Sequence, residues 1–538
     1  MILTCYYPQK NRTNLKLVSK YIEKLLQEPT GVNLVEAAVV INYKKAMKKI
    51  IILSILFISI VGYSQTTTSN TAYKKRVLET AEVDIISSFY TQDGDNAAVT
   101  GGIGTEELKD IVTNFVISIP LNDDDVFTIE ATISAYTSAS SSNLDPFDVS
   151  SASSGDDEDD EDDEDDDKSS IANSKQLATN AASPWIESSG ASKSDVWTSL
   201  NVSYSHSSDD RNTILGANAS FAKEYDYTSI GVGGSFTKLF NEKNTEIGLK
   251  VNAYLDNWSP VYPTELDSYL DDKQNLNDGH FEDVDVLDQN GNTIDKNGIN
   301  VWSPFKNTLV DNNSRNTYSV SFSFSQILSK KSQISLFFDL VQQNGWLANP
   351  MQRIYFSDRA NYYIGNASSI SNYISPTNTD IFQLADDIER LPDSRFKLPI
   401  GVRFNQYINE SISLRTYYRY YYDDWGIQSS TTEIVVPIKI SDTFTLYPSY
   451  RYYTQTAADY FAPFEQHTST EEFYTSDYDL SKFNSNQIGF GFSYTDIFAK
   501  RKLWKLGLKS IDVKYNSYKR NTGLKANIIS AGFKFVMD

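Results

Sequence analysis

Tyr318-Ser319-Val320-Ser321-Phe322-Ser323-Phe324-Ser325 places four large apolar side chains on one face of an extended chain and four serines on the other. Side chains alternate sides along a strand, so this period of two predicts a strand with one apolar and one polar face. Ile334–Gln343 repeats the pattern, with Ile334, Leu336, Phe338 and Leu340 opposite Ser335, Asp339 and Gln343. The same period runs through residues 230–236, 247–255, 398–404, 412–422, 444–452, 488–494 and 529–535. Beyond Gln65 there is little helical periodicity and no second helix-length apolar run.

A soluble sandwich would alternate in the same way, so the connections carry the decision. Short polar turns are expected at 122–125, 207–210, 241–244, 329–332, 409–411, 441–443 and 499–502, at every second junction. The junctions between them include very long ones, near 138–194, 258–315, 346–395 and 457–485. Short turns on one rim and long loops on the other are the pattern of a transmembrane antiparallel β-barrel, here of about 16 strands. Thirty-five Tyr, 28 Phe and seven Trp, crowded at segments such as 417–425 and 447–453, suit the two membrane interfaces. A mean hydropathy of -0.41 is compatible with this fold, because only alternate strand positions must be apolar.

Met47-Lys48-Lys49, the apolar run 50–62, and Tyr63-Ser64 before Gln65 read as a secretory signal peptide over 47–64, cleaved near Ser64/Gln65. Such signals act from an N-terminus, so residues 1–46 are expected to be a mis-called extension, with the barrel at 65–538. Cys5, the single cysteine, lies in that extension, which leaves disulfides and thiol catalysis without a residue. Removing residues 1–64, with nine basic and three acidic residues, moves the formal charge from -22 to -28. Nucleic acid is therefore not an expected partner. The expected location is the outer membrane of a Gram-negative cell, with its lipids as the first partner.

Within the 138–194 loop, Asp156, Asp157, Glu158, Asp159, Asp160, Glu161, Asp162, Asp163, Glu164, Asp165, Asp166 and Asp167 form an unbroken acidic run. Adjacent like charges with nothing apolar to bury make a solvated surface loop. It would either capture Ca2+ weakly through hard oxygen ligands or serve as a hydrated spacer. Asp288, Asn290 and Asn292 partly match a calcium loop, but Thr293 stands where Gly is required and Ile299 where the closing Glu belongs. Asn290-Gly291 and Asn297-Gly298 read as tight turns instead. The three histidines, His206, His280 and His467, lack metal-ligand spacing, and no nucleophile or phosphate-loop motif occurs. Neither an enzymatic role nor a cofactor is expected.

If the apolar faces meet lipid, the opposite faces line a lumen. Lys397, Arg403, Arg415, Arg419, Asp423, Glu433 and Arg451 then form an inward charge ladder, with Glu246, Lys250, Asn252 and Asp256 on another strand. Arg415, Arg419 and Arg451 are expected to face Asp423 and Glu433. Such a ladder either lines an aqueous path that selects solutes or pairs across strands to stiffen a filled bore.

The stretches 341–350, 390–395, 418–427, 448–453 with Gln455, 458–464 and 474–481, with an earlier one at Gly190-Ala191-Ser192, resemble the outer-membrane barrels classed as domain of unknown function 3570. The resemblance implies an outer-membrane barrel and no established activity. The Ser-Gln cleavage site and the composition resemble Bacteroidetes usage. Two functions are open at this point: a channel or transport-type barrel for small polar solutes or ions, and a non-conducting scaffold that docks a periplasmic or surface lipoprotein or an export partner.

Overall fold

The computed structural model describes residues 76–137, 195–306, 313–375, 380–496, 498–503 and 505–537. The extension, the signal peptide, the 138–194 loop with its acidic run, and Gly190–Ser192 all lie outside these residues.

Sixteen antiparallel strands form one closed sheet. They are β1 (Glu82–Asp93), β2 (Leu108–Pro120), β3 (Asp125–Thr137), β4 (Asp195–Ser207), β5 (Thr213–Lys223), β6 (Tyr227–Phe240), β7 (Thr245–Trp258) and β8 (Ser314–Ser329). The second half comprises β9 (Ser332–Gly345), β10 (Ser394–Tyr407), β11 (Ser413–Asp423), β12 (Gln428–Val435), β13 (Phe444–Gln455), β14 (Phe483–Thr495), β15 (Leu506–Arg520) and β16 (Lys525–Met537). Pro437, which has no N–H to give the ladder, interrupts β12 before pairing resumes at Ile438–Lys439. β1 pairs with β16 from Glu82↔Val536 to Asp93↔Lys525, so the sheet has no free edge. Closure satisfies the backbone of every strand internally, which lipid requires because it offers no hydrogen-bond partners.

The two rims differ as the connections imply. One rim has short connections of two to ten residues, such as Asn241–Asn244, where Asn244 N–H donates to the Asn241 carbonyl, together with the start of β1 and the end of β16. The other carries the long connections. It is not uniformly long: β5–β6, β11–β12 and β15–β16 are joined there by turns of three or four residues at 224–226, 424–427 and 521–524.

The apolar faces point outward. Ile230 and Val232 are each 54% exposed, Ile400 48% and Ile488 66%, although a water-soluble fold would bury such rows. This continuous apolar belt is the bilayer-facing surface of a transmembrane barrel. Outward tyrosines border it, with Tyr420 Oη donating to Gln428 Oε1 (3.1 Å) and Tyr450 Oη to Asn486 Oδ1 (2.6 Å). Rings that are apolar at one end and wet at the other sit well at that boundary.

Between β7 and β8 (259–306 and 313), β9 and β10 (346–375 and 380–393), and β13 and β14 (456–482), the described residues fold into a cap on the long-loop rim. Helix α1 (Thr264–Asp271) supplies Leu266 and Tyr269 to a core with Phe281, Val286, Trp302, Ile364, Phe382 and Ile388. Trp302 is 1% exposed, meets Tyr269 edge-on at 5.2 Å, and donates its Nε1–H to the Ala385 carbonyl (3.0 Å). Segments 286–288, 362–365 and 381–383 make a small sheet, and 353–354 pairs with 387–388. A second apolar cluster, Ile354, Phe356 and Tyr474, joins two of the loops. Asn290-Gly291 makes the expected tight turn, with Gly291 at φ +81° and Asp288 Oδ1 accepting from the Asn290 and Asn292 N–H groups.

Candidate functional site: the barrel lumen and its cap

All seven residues of the expected ladder lie on the inward face of their strands, alternating with the lipid-facing rows. The structure divides them by height. Near the long-loop rim, inward residues are covered: Ser134 and Asp423 are fully buried, and Arg315, Gln343, Asp256 and Gln455 nearly so. Nearer the short-turn rim, Lys250, Arg403 and Arg415 are exposed within the bore. Inward side chains are thus more crowded in the upper lumen, while the lower lumen is solvated.

This corrects the role expected for Asp423. It does not face the ladder arginines as a counter-charge, because Arg395 takes it, Nε at 3.0 Å and Nη2 at 2.5 Å. The same carboxylate accepts from Tyr421 Oη (2.8 Å) and from the Trp425 and Ile427 N–H groups (3.1 and 2.9 Å), and Trp425 lies 4.2 Å beneath the Arg395 guanidinium. A carboxylate so fully bonded is a structural clamp on the β10–β12 rim. Arg395 was overlooked, although it shares the odd-numbered inward phase of Lys397 and Arg403. Lys397 sits opposite Asp423 in the register and faces the cavity described below.

The remaining charges form a patch in the lower lumen. Tyr417 lies between Arg403 on β10 and Glu433 on β12, and Arg451 on β13 is the next residue in that row. Arg415 and Arg419 stand two residues below and above Tyr417 on the same strand. The guanidiniums pack on rings: Arg403 on Phe337 (5.2 Å) and Tyr417 (5.5 Å), Arg415 on Tyr447 (5.8 Å), and Arg419 on Tyr421 (5.8 Å). Among the described residues none of Arg403, Arg415, Arg419 and Arg451 forms a salt bridge.

The opposite wall has a different character. In a ring of 16 strands β4 and β12 are diametric, and β4–β6 turn small polar side chains inward, among them Ser199, Asn201, Ser203, Asn218 and Ser220. Glycines allow close packing here: a Cβ on Gly231 would come within 2.3 Å of Ser220 Oγ and 2.7 Å of the Tyr254 ring. A cavity of about 720 Å3 follows this wall from Glu224, Trp258 and Arg315 near the long-loop rim to Ser205, Ser235 and Lys250 lower down. At its upper end, in the 224–226 turn, burial and then the neighbouring Asp226 push Glu224 up to about 8.

Buried ion pairs lock the cap. Arg353 holds Glu265 in a bidentate pair (2.7 and 2.9 Å) and donates Nη1–H to the Val99 carbonyl (3.0 Å), tying in the β1–β2 connection. Arg390 binds Asp387 twice (2.9 and 2.8 Å), and Tyr474 Oη donates to the same carboxylate. His467 is buried between Glu471 and the Thr475 carbonyl, a structural position. The junction with the barrel is polar: Gln455 Nε2 donates to the Asp479 and Ser481 carbonyls, and Arg520 Nη1 donates to Asp479 Oδ1.

Among curated proteins none matches this sequence. Among solved structures, a bacterial polysaccharide outer membrane secretin is 9% identical over 86% of this chain and 100% of that one, with a TM-score of 0.39. A FadL homologue of Pseudomonas aeruginosa is 9% identical over 89% and 98% of the two chains, with a TM-score of 0.33. Pseudomonas aeruginosa OpdK with vanillate is 7% identical over 85% and 98%, with a TM-score of 0.32. Likenesses this slight carry no functional inference. A family model does match, over residues 50–528, and the chain belongs to the family it describes, "Protein of unknown function (DUF3570)".

Proposed function

We propose that the protein is an outer-membrane channel for small polar solutes or ions, moving them passively or with a periplasmic partner. One observation carries this reading: the cavity that follows the Ser/Gly/Asn wall from near the long-loop rim into the lower lumen. Small side chains on β4–β6 leave room along this wall, and its serine hydroxyls and asparagine amides offer hydrogen-bond partners to hydrated solutes. Signal-peptide cleavage near Ser64/Gln65 would deliver the chain to the periplasm for insertion. Purified, folded protein in planar bilayers is expected to show discrete conductance steps. Persistent silence from protein whose barrel is demonstrably folded contradicts the channel.

The cap supports a second reading, a non-conducting scaffold. It is a folded body with its own core, and Ile299 and Ile374 protrude from it at 99% and 65% exposure. On that reading a surface lipoprotein or export component should crosslink to the cap in native membranes. Recovery of the barrel alone counts against it. For the acidic run, weak Ca2+ capture predicts reduced calcium binding after deletion of Asp156–Asp167, and unchanged binding removes the idea.

A further inference from the structure

Three of the four arginines of the lower lumen, Arg403, Arg415 and Arg419, have ring partners, and none of the four has the carboxylate partner of a structural network among the described residues. Four guanidiniums, on β10, β11 and β13, surround Tyr417, and Glu433 is the single acid among them. Asp423, which would have offset one of them, is taken by Arg395 in the buried rim above. The flanking strands do not restore balance. On β9, Ser335 faces Arg403, while Asp339 lies four residues nearer the long-loop rim and forms no ion pair among the described residues. On β14 and β15, the row through Tyr447 continues to Gly491 and then to Lys514, a further cation exposed in the bore, with Asp512 two residues below it on the same face, so that β15 adds one charge of each sign. Lower down, the cavity along the opposite wall is lined by Lys250 and Glu130, one charge of each sign.

Stacking explains how the arginines stay ordered without acids. A guanidinium lying on an aromatic face is held through its plane, which leaves the in-plane N–H donors directed along its edge. Those edges match an oxyanion in bidentate geometry, and several donors in one partly dehydrated bore act together. Neighbouring rows of a sheet are about 5 Å apart, and residues two apart on a strand about 7 Å. Arg403, Arg415 and Arg419 can therefore reach one small ligand at Tyr417, with Arg451 beyond Glu433.

We infer that Arg403, Arg415, Arg419 and Arg451, set around Tyr417, form a binding station for small multivalent oxyanions, and that the solutes the barrel admits are anionic. The station as a binding site requires only the solvated lower lumen; its part in selectivity rests on the channel reading.

Two measurements separate the two claims. In planar bilayers under a KCl gradient, the wild-type reversal potential should report anion preference, and Arg403→Glu with Arg415→Glu should move it toward cation preference. In detergent, calorimetric titration with citrate should give heat of binding that glucose does not. Arg403→Gln with Arg415→Gln should weaken citrate at least about tenfold, since two side chains that donate charge-assisted hydrogen bonds are lost. Heat-modifiable gel mobility and unchanged circular dichroism establish that the variants are folded. Conductance without anion preference, together with absent citrate binding, overturns the station and leaves the channel standing. A silent bilayer with arginine-dependent citrate binding upholds the station and removes the channel. Citrate binding that the paired glutamines leave unaltered overturns the assignment to these residues.

Discussion

Ile230, Val232, Ile400 and Ile488 in the barrel are 48–66% exposed, while Phe281, Trp302, Ile354 and Phe356 in the cap are no more than 1% exposed. The two regions lie on one chain and follow one rule, removal of apolar surface from water, in two different solvents. In the barrel the lipid does the covering, so the interior is free to be polar and partly hollow. In the cap no lipid is at hand, so three loops build an ordinary core and close it with buried ion pairs. The comparison teaches that packing and open space are allotted to separate parts: the cap builds a dry core, while the cavity lies along the small-residue wall of the barrel.

If the regions are separately stabilised, Trp302→Ala should remove about 3–5 kcal/mol from the cap and little from the barrel. Limited proteolysis should then cut within 259–306 while heat-modifiable mobility persists; loss of both together would break the distinction. Arg353→Met should cost the cap about 3–5 kcal/mol by leaving Glu265 buried without its partner, and a double variant with Glu265→Leu should recover much of it. Proteolytic half-lives of the three proteins test this. In the barrel, Ile400→Arg near the middle of β10 should cost about 2–4 kcal/mol in lipid, measured by denaturant titration in vesicles. A neutral result there would place Ile400 away from the bilayer.

The smallest effect concerns pH and the cap alone. Glu389 is buried and lies near Asp477, and burial, then that neighbour, push it up to about 8 from an ordinary 4.5. A raised carboxyl pKa means that the folded cap holds a proton which the unfolded chain releases. Its contribution is complete below about 4.5 and is lost as pH rises through about 8. The cap should therefore resist protease better at pH 5 than at pH 8.5, and Glu389→Gln should flatten the difference. A cap that gains resistance with alkalinity would contradict this.

The barrel was legible because alternation is local. Tyr318–Ser325 and its counterparts reveal inward and outward faces without any partner strand, and short turns at every second junction reveal the rims. Residue pairing was not legible to the same degree. Asp423 sits five residues from Tyr418 and Arg395 lies 28 residues earlier, and only the register that sets Lys397 against Asp423 brings the clamp together. The cap was least legible: Phe281, Trp302, Ile354 and Tyr474 come from three loops with no period, each surrounded by turn-forming residues. The stretches that resemble the family fall largely on this junction, at Arg395, 423–427, Gln455 and 474–481, where strand tops meet the cap.

The path along the small-residue wall is the central claim, and single-channel recording of two adjacent substitutions tests it most directly. Ser220 faces the cavity and Phe221, its neighbour on β5, faces lipid at 47% exposure. Ser220→Trp should lower the unitary conductance, and Phe221→Trp should leave it at the wild-type value. Equal conductance in all three proteins would contradict a path beside that wall.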